Sequence, residues 1–183
     1  GFLRGRDEVR VEKAPGVNFS YLGFNLDDPV TDKLQVRQAL AHALDREEIL
    51  RHLFQGGGRL ATGMFPPEHW AGAPGLVPPG HDPDRARALL AEVGYSPERP
   101  LRLSYKTSSD PFRIRLATLI QAQLARVGID ARIQSYDWGT FFGDIKAGRF
   151  QLYGLTWVGI RTPDIFRYAF HGDSVPPEGA NRG

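Results

Sequence analysis

The residues best equipped for chemistry lie together in TWVGIRTPDIF, residues 156–166. Trp157 offers an aromatic wall, and Arg161, Thr162 and Asp164 add a cation, a hydroxyl and a carboxylate. An aromatic surface beside a few placed polar groups is what a small-ligand pocket requires. The competing reading makes Trp157 a core residue and Arg161 a solvated one. Other constellations carry less. The five histidines (His42, His52, His69, His81 and His171) show no H-x-x-x-H spacing and no HExxH, so no metal site is expected. The glycine run Gly56 to Gly58 lacks the Gly-Lys-Ser/Thr of a phosphate-cradling loop and follows no strand. No G-x-S-x-G elbow occurs, and there is no cysteine for thiol catalysis, disulfides or thiolate-bound zinc. The carboxylate pairs Asp27-Asp28 and Glu47-Glu48 have adequate structural roles, in a turn and in the first turn of a helix. No catalytic group and no cofactor are therefore expected.

The elements that must position 156–166 are legible from periodicity. FQLYGLTW (150–157) reads as a two-faced strand ending at Trp157, Gly159 as a point of close backbone approach, and Thr162 as the cap of a last helix carrying Ile165, Phe166, Ala169 and Phe170. Upstream, LRLSY (101–105) alternates as a strand and IDARIQS (129–135) as another. Asp110-Pro111 opens a helix burying Phe112, Leu116, Leu119, Ile120, Leu124 and Val127 up to Gly128; Asp137 caps a helix burying Phe141, Phe142 and Ile145 up to Gly148. Residues 101–157 thus read β-α-β-α-β, which makes the strands neighbours in a largely parallel sheet with helices on its faces. Ligands of such sheets sit beyond the carboxyl ends of the strands, here residues 106–111, 136–140 and 158–164.

Residues 17–26, VNFSYLGFNL, read as a central, covered strand with apolar groups on both faces. VRQALAHALDREEIL (36–50) reads as two helices joined at Asp45, with Glu48 reaching back to the cap's N–H and Ile49, Leu50, Leu53 and Phe54 burying a stripe. Residues 55–80, rich in Gly and Pro, read as one long loop, and Asp82-Pro83 opens a helix that buries Ala86, Leu89, Leu90 and Val93 and stops at Gly94.

With 183 residues the chain is long enough for one domain with a sizeable core, and 41% hydrophobic with 24% charged residues is ordinary for a globular protein. The 23 basic residues nearly balance 21 acidic ones and form no dense run, which argues against nucleic-acid binding. Zero cysteine fits an oxidising compartment. The polar start GFLRGRDEVRVE has no secretion-signal core, and no apolar stretch spans a bilayer, so a mature chain, an excised piece and a cytoplasmic protein all fit. The charged start and the tail GANRG suggest a fragment of something larger.

Taken together, LGFN (22–25), VRQALAHALDREEIL, FPPEHWAG (65–72), DPDRARALLAEVGY (82–95), LATLIQAQLARVGIDARIQSYDWGTFF (116–142), LTWVGIRTPDIF and GANRG (179–183) resemble the extracellular solute-binding proteins of the dipeptide/oligopeptide/nickel class (family 5). The resemblance covers nearly the whole chain, with VRQAL…DRE and the W-x-G region as its more specific parts. It implies an α/β lobe of the type II periplasmic-binding-protein kind, with a mixed sheet whose β-α-β-α-β core is flanked by helices. Residues 1–183 would be a single lobe, most of the C-terminal one, of a two-lobed protein that closes on its ligand. The implied function is non-enzymatic: capture of a peptide or other small solute between lobes, in the periplasm (or extracellularly, in association with the membrane), for delivery to ABC importer permease subunits. The implied partners are that solute, the permease subunits and the N-terminal lobe. The alternative is an α/β enzyme domain, a hydrolase or transferase, with its site at the same strand ends. The ligand residues implied are Trp157, Ile160, Arg161, Thr162 and Asp164. One departure stands out. Many peptide-binding members carry, three residues after the tryptophan, an Asp that pairs with the ligand's α-amino group; here that residue is Ile160. A buried ammonium without a carboxylate is strongly disfavoured, so Arg161 points instead to an anionic or carbonyl-rich ligand.

Overall fold

Aspartate followed by a helix is the recurrent local pattern of this chain. The computed structural model describes residue 10, residues 16–55 and residues 57–183; Gly56 and nearly all of the charged start lie outside the described residues. The elements are β1 (Phe19–Phe24), α1 (Leu34–Ala43), α2 (Arg46–Phe54), α3 (Pro83–Glu92), β2 (Leu101–Ser108), α4 (Pro111–Ala125), β3 (Ile129–Tyr136), α5 (Trp138–Lys146), β4 (Leu152–Trp157) and α6 (Asp164–Phe170). Helices α2, α3, α4 and α5 each begin after an Asp (Asp45, Asp82, Asp110 and Asp137) whose carboxylate accepts the backbone N–H three residues on. This satisfies one of the orphan donors of the first turn and fixes where each helix starts.

The sheet order is β1-β4-β2-β3. β2 runs parallel to both β3 and β4, and β1 pairs antiparallel with β4. The β-α-β-α-β expectation therefore holds, with β2 between its two parallel partners. The chain first moves to β3 and then back across β2 to β4, so α4 and α5 pack on opposite faces, as crossovers of one hand require. One face carries the larger core: Leu101, Leu103, Ile129, Ala131 and Leu152 from the sheet meet Val36 and Leu40 of α1, Leu89 and Leu90 of α3, and Ile120 and Leu124 of α4. The other face buries Phe141 and Ile145 of α5 against Phe150, Tyr153 and Leu155.

Four readings of the sequence need correction. First, β1 is an edge strand among the described residues, not a central one. Both its faces are nevertheless covered, since Leu22 and Phe24 join the larger core while Tyr21 packs on the smaller; periodicity reports faces and is blind to edges. Second, Glu48 does not close a capping box. Its carboxylate is drawn to α4, where Gln123 Nε2 donates to it at 2.6 Å and Arg126 lies at 3.4 Å. Third, α2 has no fully buried residue, so its apolar stripe is only half-covered. Fourth, β2 extends three residues past Tyr105, because Lys106 finds Asp144 Oδ2 at 2.6 Å and Thr107 and Ser108 pair with β3.

Candidate functional site

Thr156 and Trp157 are the last two residues of β4, so their side chains leave opposite faces of the sheet. On the face of the smaller core, Trp157 stacks on Tyr21 at 6.1 Å between centroids, and Tyr21 stacks on Phe19 at 6.2 Å. These three belong together because antiparallel pairing sets Phe19 opposite Trp157 and Tyr21 opposite Leu155. Tyr168 of α6 meets Trp157 edge-on at 6.1 Å. The Arg182 guanidinium lies over both the Trp157 and the Phe142 rings, at 5.7 and 5.3 Å, within cation–π range. Its Nε is buried without an acceptor among the described residues. Burial, reinforced by the neighbouring Tyr153, pushes the Tyr21 hydroxyl far above its ordinary pKa, and Arg182 opposes the shift.

On the other face Thr156 Oγ1 shares a 2.8 Å hydrogen bond with Ser20 Oγ and accepts Arg113 Nη2 at 2.7 Å. Arg113 reaches there because Asp110 fixes the first turn of α4 at the carboxyl end of β2.

Beyond Trp157 the chain turns at Gly159, whose φ of 71° lies in the left-handed region. A Cβ there would meet only open space, so the glycine serves backbone geometry and not the close approach expected of it. The turn is tied to the segment entering β1: Gly159 N–H donates to Asn18 Oδ1 at 3.2 Å, and Ile160 N–H to Val17 O at 3.2 Å. Ile160 is buried, 8% exposed. Arg161 is exposed and makes no hydrogen bond or ion pair to another described residue. Thr162 does not cap α6, whose N-cap is Pro163; the hydroxyl donates instead to Asp164 Oδ2 at 3.1 Å. Proline took the capping position because its fixed φ already suits the first helical turn.

Of the five residues named from the sequence, Trp157 is the centre of an aromatic cluster, Ile160 packs inward, and Arg161, Thr162 and Asp164 line the exposed turn that follows. Tyr21, Arg113, Tyr168 and Arg182 were not anticipated as neighbours of this strand end. A parallel-sheet reading contained a signal for Arg113, since it opens the helix after a strand; the Tyr21 and Arg182 contacts depend on pairings that no local pattern encodes. A second aromatic group joins the long loop to α6: Phe65 stacks on His69 at 4.6 Å and meets Phe166 at 5.6 Å, with Trp70 78% exposed beside His69. Among the described residues no cluster of His, Cys, Asp and Glu could hold a metal ion, and no helix is long and apolar enough to cross a membrane.

This architecture has close counterparts. The chain is 30% identical over 177 residues to the dipeptide-binding protein of Escherichia coli (strain K12), covering 94% of this chain and 33% of that protein. It is 30% identical over 171 residues to heme-binding protein A of Haemophilus influenzae, covering 91% and 31%. Among solved structures, an ABC transporter-associated periplasmic binding protein of Helicobacter pylori in complex with a peptide superposes with a TM-score of 0.81 at 27% identity, covering 91% of this chain and 32% of that one. The chain thus spans about a third of the length of the curated relatives it matches. Its mixed α/β fold is that of the type II periplasmic binding proteins. Residues 2–175 match the family model described as bacterial extracellular solute-binding proteins, family 5 Middle, and the chain belongs to that family.

Proposed function

We propose that this chain is one lobe of a two-lobed solute-binding protein that captures a peptide or other small solute outside the cytoplasmic membrane and hands it to the permease subunits of an ABC importer. Family membership and the similarity to peptide-binding relatives support this reading. The observation that carries it to a place in the molecule is the aromatic wall of Trp157, Tyr21 and Tyr168 at the carboxyl end of β4. Solutes bind at such strand ends, and stacked rings give a wall whose shape is fixed before the ligand arrives. Arg161, Thr162 and Asp164 follow on the rim, while Ile160 supplies packing. No carboxylate stands where an α-ammonium would need one at Ile160, so a peptide held by its amino terminus in that way is not the expected ligand.

One lobe offers half a cleft. In titration calorimetry against the ligand of the complete two-lobed protein, residues 1–183 alone should bind at least about a hundredfold more weakly, because the second lobe's contacts are missing. Equal affinity would sink the two-lobe reading. In the complete protein Trp157→Ala should weaken binding by about tenfold or more, and Arg161→Ala measurably; unchanged affinity removes that residue from the site.

A further inference from the structure

β4 ends with ladder support on one side only. Among the described residues it pairs with β2 through Leu152 and Tyr153, opposite Tyr105 and Lys106, whereas its pairing with β1 runs on to Trp157. The stretch from Gly154 to Trp157 therefore leans on β1. No ladder bond fixes it relative to α5, the helix packed on the face that carries the Trp157 ring.

Arg182 bridges that gap. Its guanidinium carbon lies 5.7 Å from the Trp157 centroid and 5.3 Å from that of Phe142 on α5. It also acts on the Tyr21 hydroxyl, opposing the rise that burial and Tyr153 impose, and Tyr21 stacks on Trp157 with 13° between the ring planes. Phe142 is itself held in place: Trp138 stacks on it at 5.3 Å and 8°, and Lys146 Nζ lies 5.4 Å from its centroid. Their helix is pinned to β2 by the 2.6 Å pair of Lys106 and Asp144, both largely buried. A planar guanidinium suits this place, because it stacks on ring faces as an ammonium cannot. Along its Nε edge, which is buried without an acceptor among the described residues, rings hold it where hydrogen bonds do not.

We infer that Arg182 is a positioning residue of the solute site: it ties the Trp157 ring to Phe142 and so fixes the plane of the wall before a solute arrives. Without it Trp157 would keep Tyr21 and Tyr168 as neighbours but would be free to turn toward the unpaired side of β4. A solute would then have to order the ring, a cost that a prearranged site avoids. Arg182 acts through Trp157 and need not touch the solute.

This role rests on the solute-binding reading, and separate signals test the two. The complete two-lobed protein is labelled with fluorotryptophan, and the Trp157 resonance is identified by its absence in Trp157→Phe. With no solute present, Arg182→Gln should shift and broaden the Trp157 resonance. The resonance of Trp70, whose ring neighbour is His69, should stay where it was. Arg182→Lys, which keeps the charge but not the plane, should fall between. An unmoved Trp157 resonance in Arg182→Gln would overturn the inference. So would Trp70 and Trp157 shifting together with a lower melting temperature, since that marks a general loosening. Binding gives the second signal, by calorimetry with Ala-Phe-Ala carrying a free or an acetylated amino end. For whichever peptide binds, Arg182→Gln should weaken affinity roughly three- to tenfold, and the effect should vanish in a Trp157→Ala background. A loss of equal size with and without Trp157 shows that Arg182 does not act through that ring; the inference then fails and solute binding stands. Binding of neither peptide would overturn solute capture of this kind and with it the role of Arg182, whatever the resonance does.

Discussion

Gly154 and Tyr105 meet inside the sheet at a distance that leaves no room for a methyl group. A Cβ on Gly154 would sit 2.7 Å from the Tyr105 hydroxyl but 3.5 Å from its ring carbons, and Tyr105 is 1% exposed with nowhere to retreat. Gly154→Ala should therefore destabilise the fold by about 1–3 kcal/mol, the usual cost of overpacking. Adding Tyr105→Phe removes the clashing oxygen and should restore much of the loss; urea melts of the three variants read this directly, and a non-interacting pair would show simple additivity. A second residue-scale prediction concerns acid. Asp144 is held below the usual carboxylate range first by the Lys106 hydrogen bond and then by Arg149. The folded state thus binds fewer protons than the unfolded one. The stabilisation is complete above the unfolded carboxyl pKa of about 3.9 and fades as pH falls through the lower folded value. Asp144→Asn should flatten the acid limb of a plot of stability against pH below about 4; an unchanged slope would show that other carboxylates dominate.

At the scale of elements, the Asp caps decide where helices start, and each is open to test. Asp45→Ala removes the acceptor of the Glu48 N–H and should cost about 1 kcal/mol in a chemical melt. Asp45→Asn, which keeps the acceptor, should cost little. The same Asp-x-x signals made α3, α4 and α5 readable from the sequence, together with the glycines that end them at positive φ, Gly94, Gly128 and Gly148. The parallel trio of strands was readable too, from apolar alternation and the helices between. What escaped was long-range. Nothing local told that VNFSYLGFNL pairs antiparallel at an edge, that Glu48 prefers Gln123 to its own helix start, or that Lys106 would be neutralised by α5 and so let β2 run on. At the candidate site, Trp157 was visible as an aromatic at a strand end. Its neighbours Tyr21 and Arg182 come from positions 136 before and 25 after it in the sequence, and only the folded sheet brings them to one ring.

For the molecule as a whole, the antiparallel placement of β1 has a mechanical consequence. Because β1 runs against β4, the chain enters β1 at the same end of the sheet where Trp157 closes β4. The turn after Trp157 is fastened to that entry segment at two points, through Asn18 and Val17. A solute that orders the turn should therefore also order Val17 and Asn18, which amide hydrogen exchange of the Ile160 and Gly159 N–H groups would read. The turn that carries Arg161 and the entry to β1 are thus joined by two direct links, one of them backbone to backbone, in addition to the β1–β4 ladder.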